Sequence, residues 1–151
     1  MVRTKKIYRQ HLLQGAFQLI IEQGFENFHA RHIAKKMSCS TQPIYREFQT
    51  LLDFKEAACE YILAKVKEEV KLAETTSSTH LTDNICQYAK RSPQEFQRFF
   101  LMDERCRKEI KSAVLKDFKK FPSSNGQEDF ETFWYATLGK AAVESYKKPT
   151  A

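Results

Sequence analysis

The chain has 151 residues, which excludes two large independent domains but leaves room for a small unit joined to a helical body. Hydrophobic residues make up 42% of it, with only four Gly and four Pro, so an all-α fold with a sizeable core is expected. The net charge is +6, and the excess lies early: residues 1–50 carry eight Lys or Arg against three Glu, whereas the remainder is nearly neutral.

The first predicted helix runs over residues 5–23. Apolar side chains recur along it at spacings of three and four, which is the pattern of one buried helix face: Leu12, Leu13, Ala16, Phe17, Leu19 and Ile20. Gly24 is expected to end the helix in a left-handed conformation, with Phe25 folding back onto the last turn.

Two short helices are predicted next, over residues 30–37 and 41–48, with three residues between them. Their spacing predicts that one apolar face of each turns inward, formed by Ile33, Ala34, Met37, Ile44 and Phe48. The Ser40 or Thr41 hydroxyl is expected to cap the second of these helices. Pro43 falls in its first turn, where a missing N–H removes no helical hydrogen bond.

The rest of the chain is also predicted to be helical. A long helix begins at the capping-box-like segment 50–53 and extends through Val70. The segment AETTSSTH, residues 73–80, is expected to be a loop. Further helices are predicted over 81–90, 93–101, 103–120 and 128–146, with a break at 121–127. We therefore predict a three-helix N-terminal domain, residues 1–49, and a short C-terminal helical bundle, residues 50–151.

A polar stripe on the third predicted helix bears on function. Thr41 and Tyr45, and likewise Gln42 and Arg46, are four residues apart and share a face. Eight residues make a rod of about 12 Å, which fits a major groove about 12 Å wide, and amide, phenol and guanidinium groups suit base edges and phosphates. An ordinary solvated face would have a similar composition. The polar stripe, however, lies on a helix that follows a short turn in the basic third of the chain, and this position favours contact with DNA.

These residues also carry a family resemblance. Residues 12–48 resemble the DNA-binding domain of the tetracycline-repressor (TetR) family of bacterial regulators. The matching pieces, in order, are LLQGAFQLIIEQGF, the Ile33–Ala34 pair, Ser40 before the third helix, and IYREF at 44–48, which is similar to the family's Leu-Tyr-x-x-Phe. The ordered combination is specific, whereas each piece alone is weak.

The resemblance implies a function and a set of contacts. It implies a helix-turn-helix transcriptional regulator that binds a palindromic double-stranded DNA operator as a homodimer. Together with the uneven charge and the aromatic second part of the chain, this predicts a repressor that a small apolar effector releases from DNA, without a cofactor. Two C-terminal helices per subunit would pair, here residues 103–120 and 128–146. Bases would be met by Thr41, Gln42 and Pro43, and phosphates by Tyr45 and Arg46. Further candidate contacts to DNA are Arg31 on the second helix and Arg3 or Lys5 in the N-terminal arm.

Three departures from the family pattern keep a second interpretation open. Ser38 stands where the family has Gly, so a left-handed conformation there would cost about 1 kcal/mol. Leu51 replaces a family Lys, and Glu47 would repel phosphate unless it turned away. The second part of the chain is also shorter than is usual for the family. The alternative is therefore a TetR-like protein-interaction module without a defined operator.

Other kinds of site are not favoured by the sequence. His29 and His32, followed by Cys39, lack a second ligand pair with metal-site spacing, so His29 is expected at a helix N-terminus and His32 on its surface. No catalytic or phosphate-binding motif occurs, and we predict no enzyme. Aromatic residues crowd the second part and indicate core packing, or alternatively an apolar ligand pocket: Phe96, Phe99, Phe100, Phe118, Phe121, Phe130, Phe133, Trp134 and Tyr135.

The compartment is predicted from what the sequence lacks. No apolar stretch approaches the roughly 18 residues of a membrane span, and the N-terminal MVRTKKIYRQ has no apolar run of the signal-peptide type. The four cysteines, Cys39, Cys59, Cys86 and Cys106, stand far apart without a CxxC pair, which favours reduced and mostly buried thiols. We expect a cytoplasmic protein with no membrane partner.

Overall fold

Helices account for all the regular structure in residues 8–122 and 129–146, the part of the chain that the computed structural model describes, and no strand occurs there. The predicted all-α class is confirmed. The α-helices of this part, in chain order, are α1 Arg9–Gln23, α2 Ala30–Lys36, α3 Gln42–Phe48, α4 Leu51–Glu69, α5 Ser78–Arg91, α6 Pro93–Phe96, α7 Glu104–Phe118 and α8 Phe130–Ser145. A π-helical segment, Gln97–Met102, follows α6, and short 3₁₀ turns cover Phe25–Asn27 and Leu72–Glu74.

The chain divides into two compact units, one ending at Ile62 and the other beginning at Leu63. The division falls inside α4, so this helix contributes to both units. The domain boundary between residues 49 and 50, which was read from the sequence, stays a prediction.

The core of the first unit is built on the buried side of α1. Leu12, Ala16 and Ile20 are fully buried, and so are Ile33 of α2 and Ile44 of α3. Four pairs of aromatic rings extend this core along the beginning of α4, with centroid distances of 4.4 to 5.8 Å: Phe48–Phe54, Phe28–Phe54, Phe25–Phe28 and Phe17–Tyr61. The helical periodicity of the sequence therefore identified the packed faces correctly.

The connection between α2 and α3 is fixed by backbone hydrogen bonds. The N–H of Cys39 donates to the carbonyl of Ala34, and that of Ser38 donates to the carbonyl of Lys35, which are the two hydrogen bonds of a Schellman motif. Ser38 has φ 54°. This is the left-handed conformation that was expected because the family has Gly at this position, and it costs a non-glycine residue free energy. The Ser40 hydroxyl then accepts from the N–H of Gln42 at 3.3 Å, so Ser40, rather than Thr41, caps α3.

The connection between α3 and α4 is even tighter. Gln49 has φ 62° and ψ −55°, and the N–H of Thr50 donates to the carbonyl of Phe48 at 2.6 Å, which makes a γ-turn. The Thr50 hydroxyl accepts from the N–H of Asp53 at 3.0 Å. The predicted Thr50 cap of α4 is confirmed, although the N–H of Thr50 donates to Phe48 rather than to the side chain of Asp53, as a full capping box would require. The connections on the two sides of α3 each contain a residue with positive φ, Ser38 and Gln49.

The second unit is built around the pairing of α5 with α8. Thr82 and Thr137 share a hydrogen bond of 2.8 Å between these helices, and Lys90 pairs with Glu144 at 3.4 Å. Buried Tyr88 of α5 donates to Glu95, and burial together with this carboxylate raises its pKa well above the ordinary range.

Stacked aromatic rings fill the interior of the second unit. Phe96, Phe99, Phe100, Phe133 and Trp134 are all buried. Their contacts form a continuous series with centroid distances of 4.9 to 6.1 Å, through the pairs Phe96–Phe100, Phe100–Trp134, Phe130–Trp134, Phe130–Phe133 and Phe118–Phe133. Core packing, rather than an apolar pocket, is therefore the role of the buried members of the predicted aromatic set. By contrast, Tyr135 is 60% exposed, and Phe121 is half-buried at the edge of a surface depression.

Three details of the predicted elements were wrong. The predicted loop 73–80 contains a 3₁₀ turn, and α5 begins at Ser78, where the Ser77 hydroxyl accepts from the N–H of His80. The predicted helix 93–101 continues as a π-helix, which simple periodicity does not distinguish. Gly24 has φ 77° but ψ 172°, so it needs glycine as expected but is extended rather than left-handed helical.

Ser38→Gly tests the strain in the α2–α3 connection. Glycine adopts positive φ without a Cβ penalty, so we expect the free energy of unfolding in urea to rise by about 1 kcal/mol. Ser40→Gly is the matched control, because there the substitution removes a capping hydroxyl and should lower the free energy of unfolding by about 1 kcal/mol. Equal effects of the two substitutions would contradict this account.

Candidate nucleic-acid interface

Helix α3 has one buried face and one exposed face. Ile44 is 0% and Phe48 is 4% exposed, whereas Gln42 is exposed, Tyr45 is 48% exposed and the Arg46 side chain is 54% exposed. Burying two large apolar side chains fixes the rotation of the helix about its axis. The polar stripe read from the sequence therefore lies on the solvent side of α3.

The remaining predicted contact residues are distributed around this stripe. Thr41, immediately before α3, and Pro43 in its first turn are half-buried. Arg31 is exposed on α2. Arg3 and Lys5 lie outside the described residues. Helix α3 and the residue before it thus bring together five of the predicted contact residues, and Arg31 comes from α2. The five are Thr41, Gln42, Pro43, Tyr45 and Arg46.

Two ion pairs change the charge that α2 and α3 present to solvent. Glu47 is half-buried, and its carboxylate lies 3.6 Å from Nε of Arg46. This pairing leaves the stripe with a partly balanced guanidinium and a carboxylate beside it. On α2, Lys36 pairs with Glu22 of α1 at 3.0 Å, so its charge is engaged within the unit.

A contact at the C-terminal end of α3 was not anticipated from the sequence. The guanidinium carbon of Arg9, at the beginning of α1, lies 4.4 Å from the centroid of the Phe48 ring. This is a cation–π contact in which a charged group covers a core aromatic residue. Residues so distant in the chain give no periodic signal, so the sequence alone could not have revealed it.

The histidines and cysteines lie where the sequence suggested. His29 is the N-cap residue of α2 and His32 is exposed on that helix, with their rings 5.3 Å apart. Within residues 8–122 and 129–146, no three His, Cys, Asp or Glu side chains form a group suited to a metal ion. Cys59, Cys86 and Cys106 are buried and Cys39 is half-buried, and none of the four forms a disulfide bond.

The second unit has an open surface groove of about 440 Å³ between the end of α4 and α7. Its floor is apolar, with Leu63, Leu72 and Ala113, and its edges carry charges of both signs, including Lys67 and Glu109. A continuing depression of about 590 Å³ is lined in part by Phe121 and Pro122. The groove is therefore amphipathic.

Comparisons with known proteins do not assign the chain to a family: no family model matches it, and no curated protein matches it. In the portion of the chain that is described, no helix combines the length and the hydrophobicity needed to cross a bilayer. The resemblance to the TetR family therefore stays a prediction that depends on residues 12–48.

The two faces of α3 should respond differently to truncation. Gln42→Ala and Tyr45→Ala remove exposed side chains, so we expect the free energy of unfolding to change by no more than about 0.5 kcal/mol each. Ile44→Ala leaves a cavity in the core and should cost about 2–5 kcal/mol. Urea titration of the three variants measures this, and a large loss for Gln42→Ala would mean that the outer face has been assigned wrongly.

Proposed function

We propose that this chain is a sequence-specific DNA-binding transcriptional regulator whose α2–α3 pair acts as a helix-turn-helix. The observation that carries the proposal is the division of α3, which anchors Ile44 and Phe48 in the core and presents Gln42, Tyr45 and Arg46 to solvent. Amide and guanidinium groups can bond base edges bidentately, and phenol and guanidinium groups bond phosphate oxygens.

The dimensions and stiffness of α3 support this function. Seven residues give a rod of about 10.5 Å, short enough to enter a major groove about 12 Å wide. The capped connections at both ends hold the rod in one orientation, which lowers the entropy that would be lost on binding. Concentration of positive charge in residues 1–50 favours association with the DNA backbone.

Self-association would provide the second DNA-binding unit of a homodimer on a palindromic operator. The outer face of α8 supports it, because Tyr135, Val143 and Tyr146 are 60 to 68% exposed. Exposed residues on this face also follow alternating spacings of four and three, the periodicity of a helix–helix seam: Thr132, Ala136, Gly139, Val143 and Tyr146. A second copy packed on this seam would bury these apolar side chains.

A small effector would act through the second unit. The amphipathic groove beside α4 and α7 has a volume in the range of small-molecule sites, and Leu63 in its floor belongs to the helix that also enters the first unit. An amphipathic molecule bound there would change the spacing of the two DNA-binding units and release the operator.

Replacing Gln42 and Tyr45 together by Ala tests DNA recognition. Selection from random duplex DNA with the wild-type protein should enrich one palindrome, and the double variant should bind this duplex at least about tenfold more weakly in a gel-shift assay, because base and phosphate bonds are removed. Gln87→Ala, which truncates an exposed glutamine of α5, is the control and should leave affinity unchanged.

The selection also separates the proposal from its alternative. A protein-interaction module would enrich no sequence. The features that favour such a module are Leu51, in place of the family's Lys, and the carboxylate of Glu47 beside Arg46. Undiminished binding by the double variant would show that α3 is not the helix that reads DNA.

Gly139→Leu tests the self-association seam. Nothing lies within 4 Å of the position of a Cβ at Gly139, so within one chain a larger side chain fits and should stabilise α8 by about 1 kcal/mol. In a close-packed dimer it would separate the helices, so we expect analytical ultracentrifugation to show dimers for the wild type and monomers for the variant. Ala64→Leu, at an exposed position of α4, is the control and should remain dimeric. A dimeric Gly139→Leu variant would place the interface elsewhere.

A further inference from the structure

The end of α3 lies beside a positively charged group from the first helix. Arg9 is the first residue of α1, and its guanidinium carbon lies 4.4 Å from the centroid of the Phe48 ring, the last residue of α3. Phe48 is itself fixed, because its ring stacks on Phe54 at 4.4 Å with an interplanar angle of 9°. The surface on which the guanidinium rests is therefore part of the rigid core.

The hydrogen-bond donors of Arg9 are not used within the described residues. Arg9 is exposed there and makes no hydrogen bond or ion pair, only the contact with the ring. The contact with the ring face does not use the N–H groups of the guanidinium as hydrogen-bond donors to oxygen atoms. Arg9 is thus a cation whose orientation is restricted and whose donors are available to an anion.

The residues that follow α3 provide no cation close to this end of the helix in the sequence. Residues 49–54, QTLLDF, contain neither Lys nor Arg. The next cation, Lys55, lies 5.9 Å from the centroid of the Phe25 ring. On α3 itself the cation is Arg46, whose charge is partly balanced by Glu47.

A helix about 10.5 Å long nearly fills the width of a major groove, so groups at its two ends lie near the phosphates that border the groove. We propose that Arg9 binds a backbone phosphate beside the C-terminal end of α3, oriented for this contact by Phe48. The proposal rests on the proposed DNA-binding function. It adds a sequence-independent contact that sets the position of α3 in the groove.

The salt dependence of binding tests Arg9. The full-length protein and its variants are titrated with the duplex selected by the wild type, from about 50 to about 200 mM salt. Arg9→Gln should lower the affinity and flatten the plot of log affinity against log salt by about 0.9 for each phosphate that is no longer neutralised. Arg9→Lys keeps the charge and should keep the slope, with affinity between those of the wild type and Arg9→Gln.

Lys119→Gln is the matched control, since Lys119 is an exposed cation at the end of α7, and it should change neither affinity nor slope. A purely structural Arg9 would shift the unfolding midpoint but leave the slope unaltered, and that result would overturn the proposal. An equal flattening by Lys119→Gln would also overturn it, because removal of any positive charge would then suffice. Absence of binding by the wild-type protein would instead refute the proposed function and this contact with it.

Discussion

Burial of the inner face of α3 is the interaction on which the rest of the first unit depends. A helix of seven residues is too short to be stable alone in water. Ile44 and Phe48 stabilise it by leaving water, and each such burial contributes about 1.5–3 kcal/mol. Because Phe48 also stacks on Phe54, the same burial joins α3 to the beginning of α4. The orientation of every solvent-facing residue of α3 follows from these contacts.

Backbone strain in the two connections that flank α3 accompanies the fixed orientation of this helix. Ser38 and Gln49 both adopt positive φ, a conformation that costs a non-glycine residue about 1–2 kcal/mol. Such conformations persist when the surrounding packing determines the path of the chain. The Schellman motif at Ser38 and the γ-turn at Gln49 are short connections that allow α3 little rotation. A rigid outer face suits recognition of a rigid partner, because little order remains to be imposed on binding.

The helical periodicity of the sequence sufficed to predict much of this arrangement. It identified the buried and exposed sides of α3, and capping chemistry identified Thr50 as the residue that caps the N-terminus of α4. Both signals are local, since they involve residues within four positions of each other. The stripe of Thr41, Gln42, Tyr45 and Arg46 could therefore be assigned to one surface from the order of the residues alone.

Features that the sequence did not reveal depend on contacts between distant residues or on small differences in backbone geometry. Arg9 and Phe48 meet only after α1 and α3 have packed, and no pattern in the chain relates them. Tyr135 was grouped with the other aromatic residues of the second part, yet it is exposed, whereas its neighbours Phe133 and Trp134 are buried. The π-helical turn at Gln97–Met102 differs from an α-helix by one residue in the span of its hydrogen bonds, a difference that apolar spacing over six residues cannot resolve.

The charges of α7 and α8 bear on how two copies would associate. The resemblance to the TetR family implies pairing through both C-terminal helices, but the last turn of α7 and the residues after it present Lys116 and Lys119 to solvent, beside Lys120, which pairs with Asp117 at 3.7 Å. Pairing these lysines with those of a second copy would bring like charges together, which disfavours association.

The outer face of α8 carries one lysine, Lys140, among aromatic, aliphatic and small residues. Lys111 of α7 is held against this helix by Glu131, whose hydrogen bond raises the Lys111 pKa, and lies 5.3 Å from the centroid of the Tyr135 ring. Burial of apolar area and avoidance of like charges therefore both favour a dimer in which α8, rather than α7, forms the centre of the interface.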